Sequence, residues 1–293
     1  MRDRRGAEPQ ATARWLTWVL ISLNAATFVG ELAMARSPSA LWEMPAPVAM
    51  AFGGNYASST LHEGRVETLI ASCFVHFSLL HIGFNMYALW QVMPFLERTV
   101  GVGRSATLYM TSGLVGSMVS TLVGWTSQGQ RLGAGASGAI CGLIGAALVV
   151  GWRLQGRDSP LMRAMARWLA TVLLMGALAR FDNAAHAGGA VAGALVALTW
   201  RPGPEAPATR TAGLALFALV TALAAVRVVA QDLANPYATL GAGERLEVAS
   251  QALHAGRCAE ARDAMAAARR VAPRAPEVLY EAQIVARVCG RER

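Results

Sequence analysis

The sequence predicts an all-α, polytopic membrane protein: a six-helix core, a seventh transmembrane helix and a small helical C-terminal extension. Three observations carry this expectation. The 293 residues are 54% hydrophobic and only 15% charged, where a water-soluble domain carries about 25% charge. Apolar stretches approaching the ~20 residues that a bilayer-spanning helix needs recur seven times along the chain. Between them, arginines cluster in alternate loops. A wholly soluble enzyme and a disordered chain are both excluded by these figures. All 26 basic residues are arginine, so the net charge of +8 does not by itself point to a nucleic-acid partner, and none is expected.

Taken in order, residues 1–14 form a polar segment with Arg2, Arg4, Arg5 and Arg14. The first span, 15–33, imitates a signal peptide, but its apolar core runs long and no clean A-x-A site follows, so it reads as an uncleaved anchor. Spans two to six are expected at 68–93, 105–124, 136–152, 162–179 and 184–200, completing a core over 15–200. A linker and a seventh span, 211–230, occupy 201–230. With the N-terminus inside, the cytoplasmic segments hold 12 arginines and the outer loops four, Arg36, Arg65, Arg131 and Arg180. The positive-inside rule then gives a multi-pass protein of the cell membrane with residues 231–293 outside the cytoplasm.

A transporter, a channel and a membrane enzyme share these features, so polar groups at membrane depth must discriminate between them. His81-Ile-Gly-Phe-Asn85 lies in the second span, and a spacing of four puts imidazole and carboxamide one turn apart on one face. Gly133-Ala-Gly-Ala-Ser137-Gly138 delivers a serine to the start of the fourth span, where unpaired N–H groups and the helix dipole favour developing negative charge. Ala185-His186-Ala-Gly-Gly189-Ala-Val-Ala-Gly193 opens the sixth span, with His186, Gly189 and Gly193 on one face. Gly138, Gly142 and Gly145 form a similar stripe on the fourth. If the two stripes meet in small-xxx-small packing, Ser137 and His186 come within hydrogen-bond reach. A serine with a histidine base is the minimum for nucleophilic acyl chemistry. His81, Asn85 and the Ser137 N–H are the candidates for holding the oxyanion. Asp182 is the acid nearest His186, and this reading needs no third member.

At these residues the sequence resembles the rhomboid family of intramembrane serine proteases. The family pattern is HxxxN, then GxSG, then AHxxGxxxG, and all three occur in that order as His81–Asn85, Gly135–Gly138 and Ala185–Gly193. Phe74-Val-His76-Phe-Ser-Leu-Leu-His81 and Glu97-Arg98 with Gly101 are also rhomboid-like. The resemblance implies Ser137 as nucleophile, His186 as general base, His81 and Asn85 as oxyanion donors, and single-span membrane proteins as substrates. A non-catalytic client-binding scaffold is the rival function. Two departures stand out: Glu67-Thr68 replaces a Trp-Arg pair of the first outer loop, and Cys141 stands where an aromatic often supports the imidazole.

The remaining polar residues take quieter readings. His76 is expected to bond to the loops, His62 to be solvated and Asn24 to make a packing or capping contact. No CxxC, HExxH or paired-carboxylate pattern occurs, so neither a cofactor nor a metal is expected. In the tail, Gly256, Ala261, Ala268, Pro273 and Gly290 resemble one and a half tetratricopeptide repeats. The tail is expected either to dock clients or a second copy of the chain, or to form a short external cap. Stacked repeat turns bring Cys258 and Cys289 together for a disulfide, whereas Cys73 and Cys141, in apolar spans, are expected to stay reduced.

Overall fold

The computed structural model describes residues 14–126, 132–200, 204–235, 237 and 240–290. The arginine cluster at 2–5, Arg131 and Arg201, and the side chain of His62, lie outside the described residues. Helix α1, Trp15–Ala35, buries Leu16, Leu20, Asn24, Phe28 and Glu31 along one stripe. Its other faces stay apolar and outward, with Trp18 and Val29 more than half exposed, as a lipid-facing helix requires. The chain then passes through short helices Ala46–Ala51 and Ala57–His62 and a two-residue strand β1, Asn55–Tyr56.

The second span departs from the expected single helix over 68–93. A short helix, Thr68–Ala71, and a 3₁₀ turn, Ser72–Phe74, meet α2, Leu79–Thr99, at a bend of 93°. The cause is local. Val75 and Ser78 are extended, and the Ser78 hydroxyl accepts the His81 N–H at 3.2 Å, an N-cap that starts a new helix inside a continuous apolar run. His81 therefore sits in the first turn of α2 rather than in mid-span.

Five further helices follow: α3 (Val102–Thr126), α4 (Ser137–Gln155), α5 (Pro160–Ala179), α6 (Asn183–Thr199) and α7 (Pro207–Val228, continued by a π turn to Leu233). Among the described residues five helices (α1, α3, α4, α5 and α7) are each long and apolar enough to cross a membrane alone, and the bent pair ending in α2 makes six. The remaining helix, α6, stands where the sixth span is expected at 184–200 and has 17 residues, about 26 Å of helix, at the lower limit for a span. Within its most apolar stretch α4 is 72% buried and α5 only 6%, so α4 is the axis of the bundle and α5 lies at its periphery.

The axis is held by backbone contact. A Cβ placed on Gly189 of α6 falls 2.0 Å from the Gly138 carbonyl oxygen of α4, and one on Gly193 falls 2.0 Å from that of Gly142. The two glycine stripes do meet, as small residues on facing helices allow.

The tail forms α8 (Ala242–His254), α9 (Cys258–Val271) and α10 (Pro276–Cys289) around its own core of Ala252, Ala261, Met265 and Val278. A Cys258–Cys289 disulfide closes it, with Cα atoms 5.4 Å apart, while Cys73 and Cys141 are free and buried. Arg270 of α9 reaches Glu63 at 3.1 Å and Asp232 at 3.6 Å. Asp232 also pairs with the buried Arg65, which holds Glu67 at 3.2 Å. Burial lowers the pKa of the Arg65 guanidinium and the Glu67 charge raises it again. Glu67 is thus part of an ionic cluster that organises the first loop, and the tail packs at the same end of the bundle as that loop.

Candidate active site

Ser137, His186 and His81 all lie in the first turn of their helices, and all three turns converge at this end. A strand pair sets the approach to Ser137: β2, Leu132–Gly133, pairs antiparallel with β1 through Asn55↔Gly133 and Tyr56↔Leu132. The Gly135 N–H then donates to the Ser72 carbonyl at 2.8 Å. Gly135 has φ +118°, and a Cβ there would stand 2.7 Å from His81 Nε2 and 3.6 Å from Asn85 Nδ2. Only glycine gives both the backbone conformation and the room. Both side chains of the HxxxN motif therefore reach one point, two residues before Ser137.

Ser137 opens α4 with no side-chain cap, so the first N–H groups of that helix remain available to an anion. His186 is 4% exposed, and its Nε2 lies 2.9 Å from Ser137 Oγ. The other ring nitrogen, Nδ1, is 3.3 Å from Asn183 Oδ1. The Asn183 amide donates from Nδ2 to the Leu173 carbonyl at 2.9 Å, which orients its oxygen toward the imidazole. An amide oxygen only accepts, so Nδ1 carries the proton and Nε2 presents its lone pair to the Ser137 hydroxyl. At His81 the order is reversed: Nδ1 accepts the Phe77 N–H at 3.3 Å, leaving the proton on Nε2, the nitrogen facing the Gly135 loop. The pair thus contains one acceptor imidazole and one donor imidazole, the division that acyl transfer uses.

Beside Ser137 a small cavity, open at its mouth, is lined by Ser72, Ser117, Ser120 and Asp182. It offers polar groups to a water next to the hydroxyl. Asp182 caps α6 by accepting the Ala185 N–H at 2.9 Å and also pairs with the Ser120 hydroxyl. Its role is to start the helix, and the residue touching the imidazole is its neighbour.

Of the residues singled out from sequence, Ser137, His186, His81 and Asn85 gather here. His76 is fully buried, donates its N–H to Glu31 Oε2 at 3.3 Å and points Nδ1 to the Phe74 carbonyl, a structural role. Asn24 bonds within its own helix, to the Leu20 carbonyl at 2.7 Å. Cys141, one turn after Ser137, is a buried thiol. No aromatic ring packs on the His186 imidazole among the described residues. Asn183 was not singled out, although its i−3 spacing from His186 is a helical signal that it faces the ring.

A bundle of bilayer-length helices whose axis presents a serine to a histidine defines a polytopic membrane protein of the kind that can carry acyl-transfer chemistry. The family model described as the rhomboid domain matches residues 63–203. The chain is 38% identical over 136 residues to RHOMBOID-like protein 5 of Arabidopsis thaliana, covering 45% of this chain and 43% of that protein. It is 31% identical over 149 residues to Rhomboid protease GluP of Bacillus subtilis, covering 49% and 28%. It is 28% identical over 190 residues to the mitochondrial presenilin-associated rhomboid-like protein of Bos taurus, covering 60% and 49%. The chain is thus similar to the rhomboid family over residues 63–203, and it spans less than half the length of each of these relatives.

Proposed function

We propose that this chain is an intramembrane serine protease, hydrolysing a peptide bond in or near the transmembrane segment of single-span membrane proteins. The observation that carries the reading is the 2.9 Å contact between Ser137 Oγ and His186 Nε2, two groups 49 residues apart on helices in backbone contact. A relative named as a protease supports it.

In the first step Ser137 Oγ attacks the scissile carbonyl carbon while its proton passes to His186 Nε2. The negative charge that develops on the carbonyl oxygen is met by donors on the Gly135 side of the serine: His81 Nε2–H, the Asn85 amide and the Ser137 N–H. The C–N bond then breaks as Nε2 returns its proton to the leaving amine. Water from the polar cavity repeats the sequence on the acyl-enzyme, giving the acid and restoring Ser137. The scheme uses no metal and no cofactor. A substrate helix keeps its amides in hydrogen bonds, so the preferred sites contain small or helix-breaking residues that let it unwind. The arginine asymmetry supports an N-terminus in the cytoplasm, with the tail and the mouth of the site on the outer side of the cell membrane.

The test is labelling of the full chain in detergent with a serine-directed phosphonate, alongside cleavage of a single-span reporter in liposomes. Labelling and cleavage in the parent protein, both absent in Ser137→Ala, are expected. A parent protein that neither labels nor cleaves overturns the protease reading in favour of a client-binding scaffold.

A further inference from the structure

We propose that Asn183 is the positioning residue that sets the tautomer of the base, and that it does so by reading the place of α5. The proposal rests on His186 acting as the base for Ser137. Three contacts carry it. Asn183 Oδ1 meets His186 Nδ1 at 3.3 Å. Asn183 Nδ2 donates to the Leu173 carbonyl, in the body of α5, at 2.9 Å. A Cβ on Gly176 of α5 would stand 1.9 Å from Asn183 Oδ1, so the carboxamide lies directly against the α5 backbone. One side chain therefore spans from a helix that is 6% buried to the imidazole at the bundle axis.

The amide has one acceptor and one donor face, and each is used once. If the carboxamide turned over, its nitrogen would face the Nδ1–H and its oxygen would face the Leu173 carbonyl, two unfavourable pairs. The orientation is thus self-consistent only with the proton on Nδ1. Among the described residues Asn183 Oδ1 is the acceptor that Nδ1 meets, and without it the imidazole is free to place the proton on Nε2, where it cannot receive the serine proton. The link between α5 and α6 is short: Phe181 N–H and the left-handed Arg180 both close on the Gly176 carbonyl. A shift of α5 consequently moves Leu173 and Asn183 together. Asn183 touches neither substrate nor the reacting atoms and acts only through the ring.

The experiment is ¹⁵N NMR of the full chain with labelled histidine, in micelles at a pH where the ring is neutral, with kinetics of a cleaved reporter on the same preparations. The His186 signal is identified by its loss in His186→Gln. The parent is expected in the Nδ1–H form. Asn183→Leu, which keeps the volume and removes both faces, is expected to move the signal toward the Nε2–H form and to lower kcat by about 10²-fold with KM unchanged. Asn183→Asp, which keeps the acceptor, is expected to restore the Nδ1–H form and most of kcat. Gly176→Ala, which removes no group bonded to the ring but forces a methyl group onto the carboxamide, is expected to reproduce the leucine variant. A parent in the Nε2–H form, or an unchanged tautomer in Asn183→Leu, overturns the proposal whether or not the protein cleaves. The expected tautomers in a protein that neither labels nor cleaves would sustain the positioning geometry and remove the protease reading instead.

Discussion

Replacing Gly189 by alanine adds one methyl group and removes no functional one, which makes it the sharpest probe of how the dyad is held. The new Cβ would lie 2.0 Å from the Gly138 carbonyl oxygen, 2.8 Å from its carbon and 3.3 Å from its Cα. All three are backbone atoms, so no flexible side chain can move aside. Ordinary van der Waals contact begins at 3.4 Å, so α6 must retreat from α4 by about 1 to 1.4 Å at this level, the displacement range in which ~1 Å costs on the order of 10²-fold in rate. Gly189 is one turn from His186 on the same face, and Gly138 adjoins Ser137, so little of the shift is lost before the dyad. The 2.9 Å hydrogen bond then opens toward about 4 Å, beyond the ~3.2 Å limit of a useful N···O contact. We expect kcat to fall about 10²-fold, equivalent to about 2.7 kcal/mol of lost transition-state stabilisation. Overpacking lowers fold stability by about 1 to 3 kcal/mol in addition. The assay is steady-state cleavage of a reporter in micelles, with thermal unfolding followed in parallel to confirm that the variant is folded. Gly83→Ala is the control, because nothing lies within 4 Å of a Cβ there. Parent-like kcat in folded Gly189→Ala would refute the argument that backbone contact sets the dyad distance.

Three further outcomes follow from the same structure. His186 accepts a proton only when neutral, so kcat is expected to decline as the pH falls through the range in which an imidazole protonates; a rate that rises steadily into acid would point to a carboxylate mechanism. Asp232→Ala leaves the buried Arg65 with Glu67 alone and removes one anchor of Arg270; breaking a buried pair costs about 3 to 5 kcal/mol, so limited proteolysis should clip the tail of this variant well before the parent, and equal protection would show that the cluster does not hold the tail. Thiol labelling of unreduced, denatured protein should find two free cysteines, since the Cys258–Cys289 bridge closes 31 residues of chain; its loss lowers tail stability by about 3 to 4 kcal/mol in the chain-entropy model, and four free thiols would disprove the bridge.

Much of this molecule is legible along the chain because bilayer length, helical spacing and charge asymmetry are local properties. Hydropathy marks the helices, and the i, i+4 spacing of His81 and Asn85 already puts both on one face. The stripes at Gly138, Gly142 and Gly145 and at Gly189 and Gly193 announce that two helices will touch, and so imply that Ser137 will meet His186. The second span was misjudged for a physical reason: apolarity is continuous from 68 to 93, while at the break side chains take backbone N–H groups, Ser78 Oγ that of His81 and His81 Nδ1 that of Phe77.

What the sequence by itself determines, then, is an all-α membrane protein that resembles the rhomboid family, with its serine and its histidine at the starts of two glycine-striped helices. Tertiary structure alone decides the rest. The pairing of Arg65 with Asp232 joins residues 167 apart, and no spacing rule connects a loop to the end of α7. The proton positions on His186 and His81 depend on which nitrogen finds an acceptor, Asn183 Oδ1 for one, or a donor, the Phe77 N–H for the other. A hydrogen bond is short-ranged and directional, so its partner is chosen only once the helices have packed, and that choice separates an imidazole that takes a proton from one that gives it.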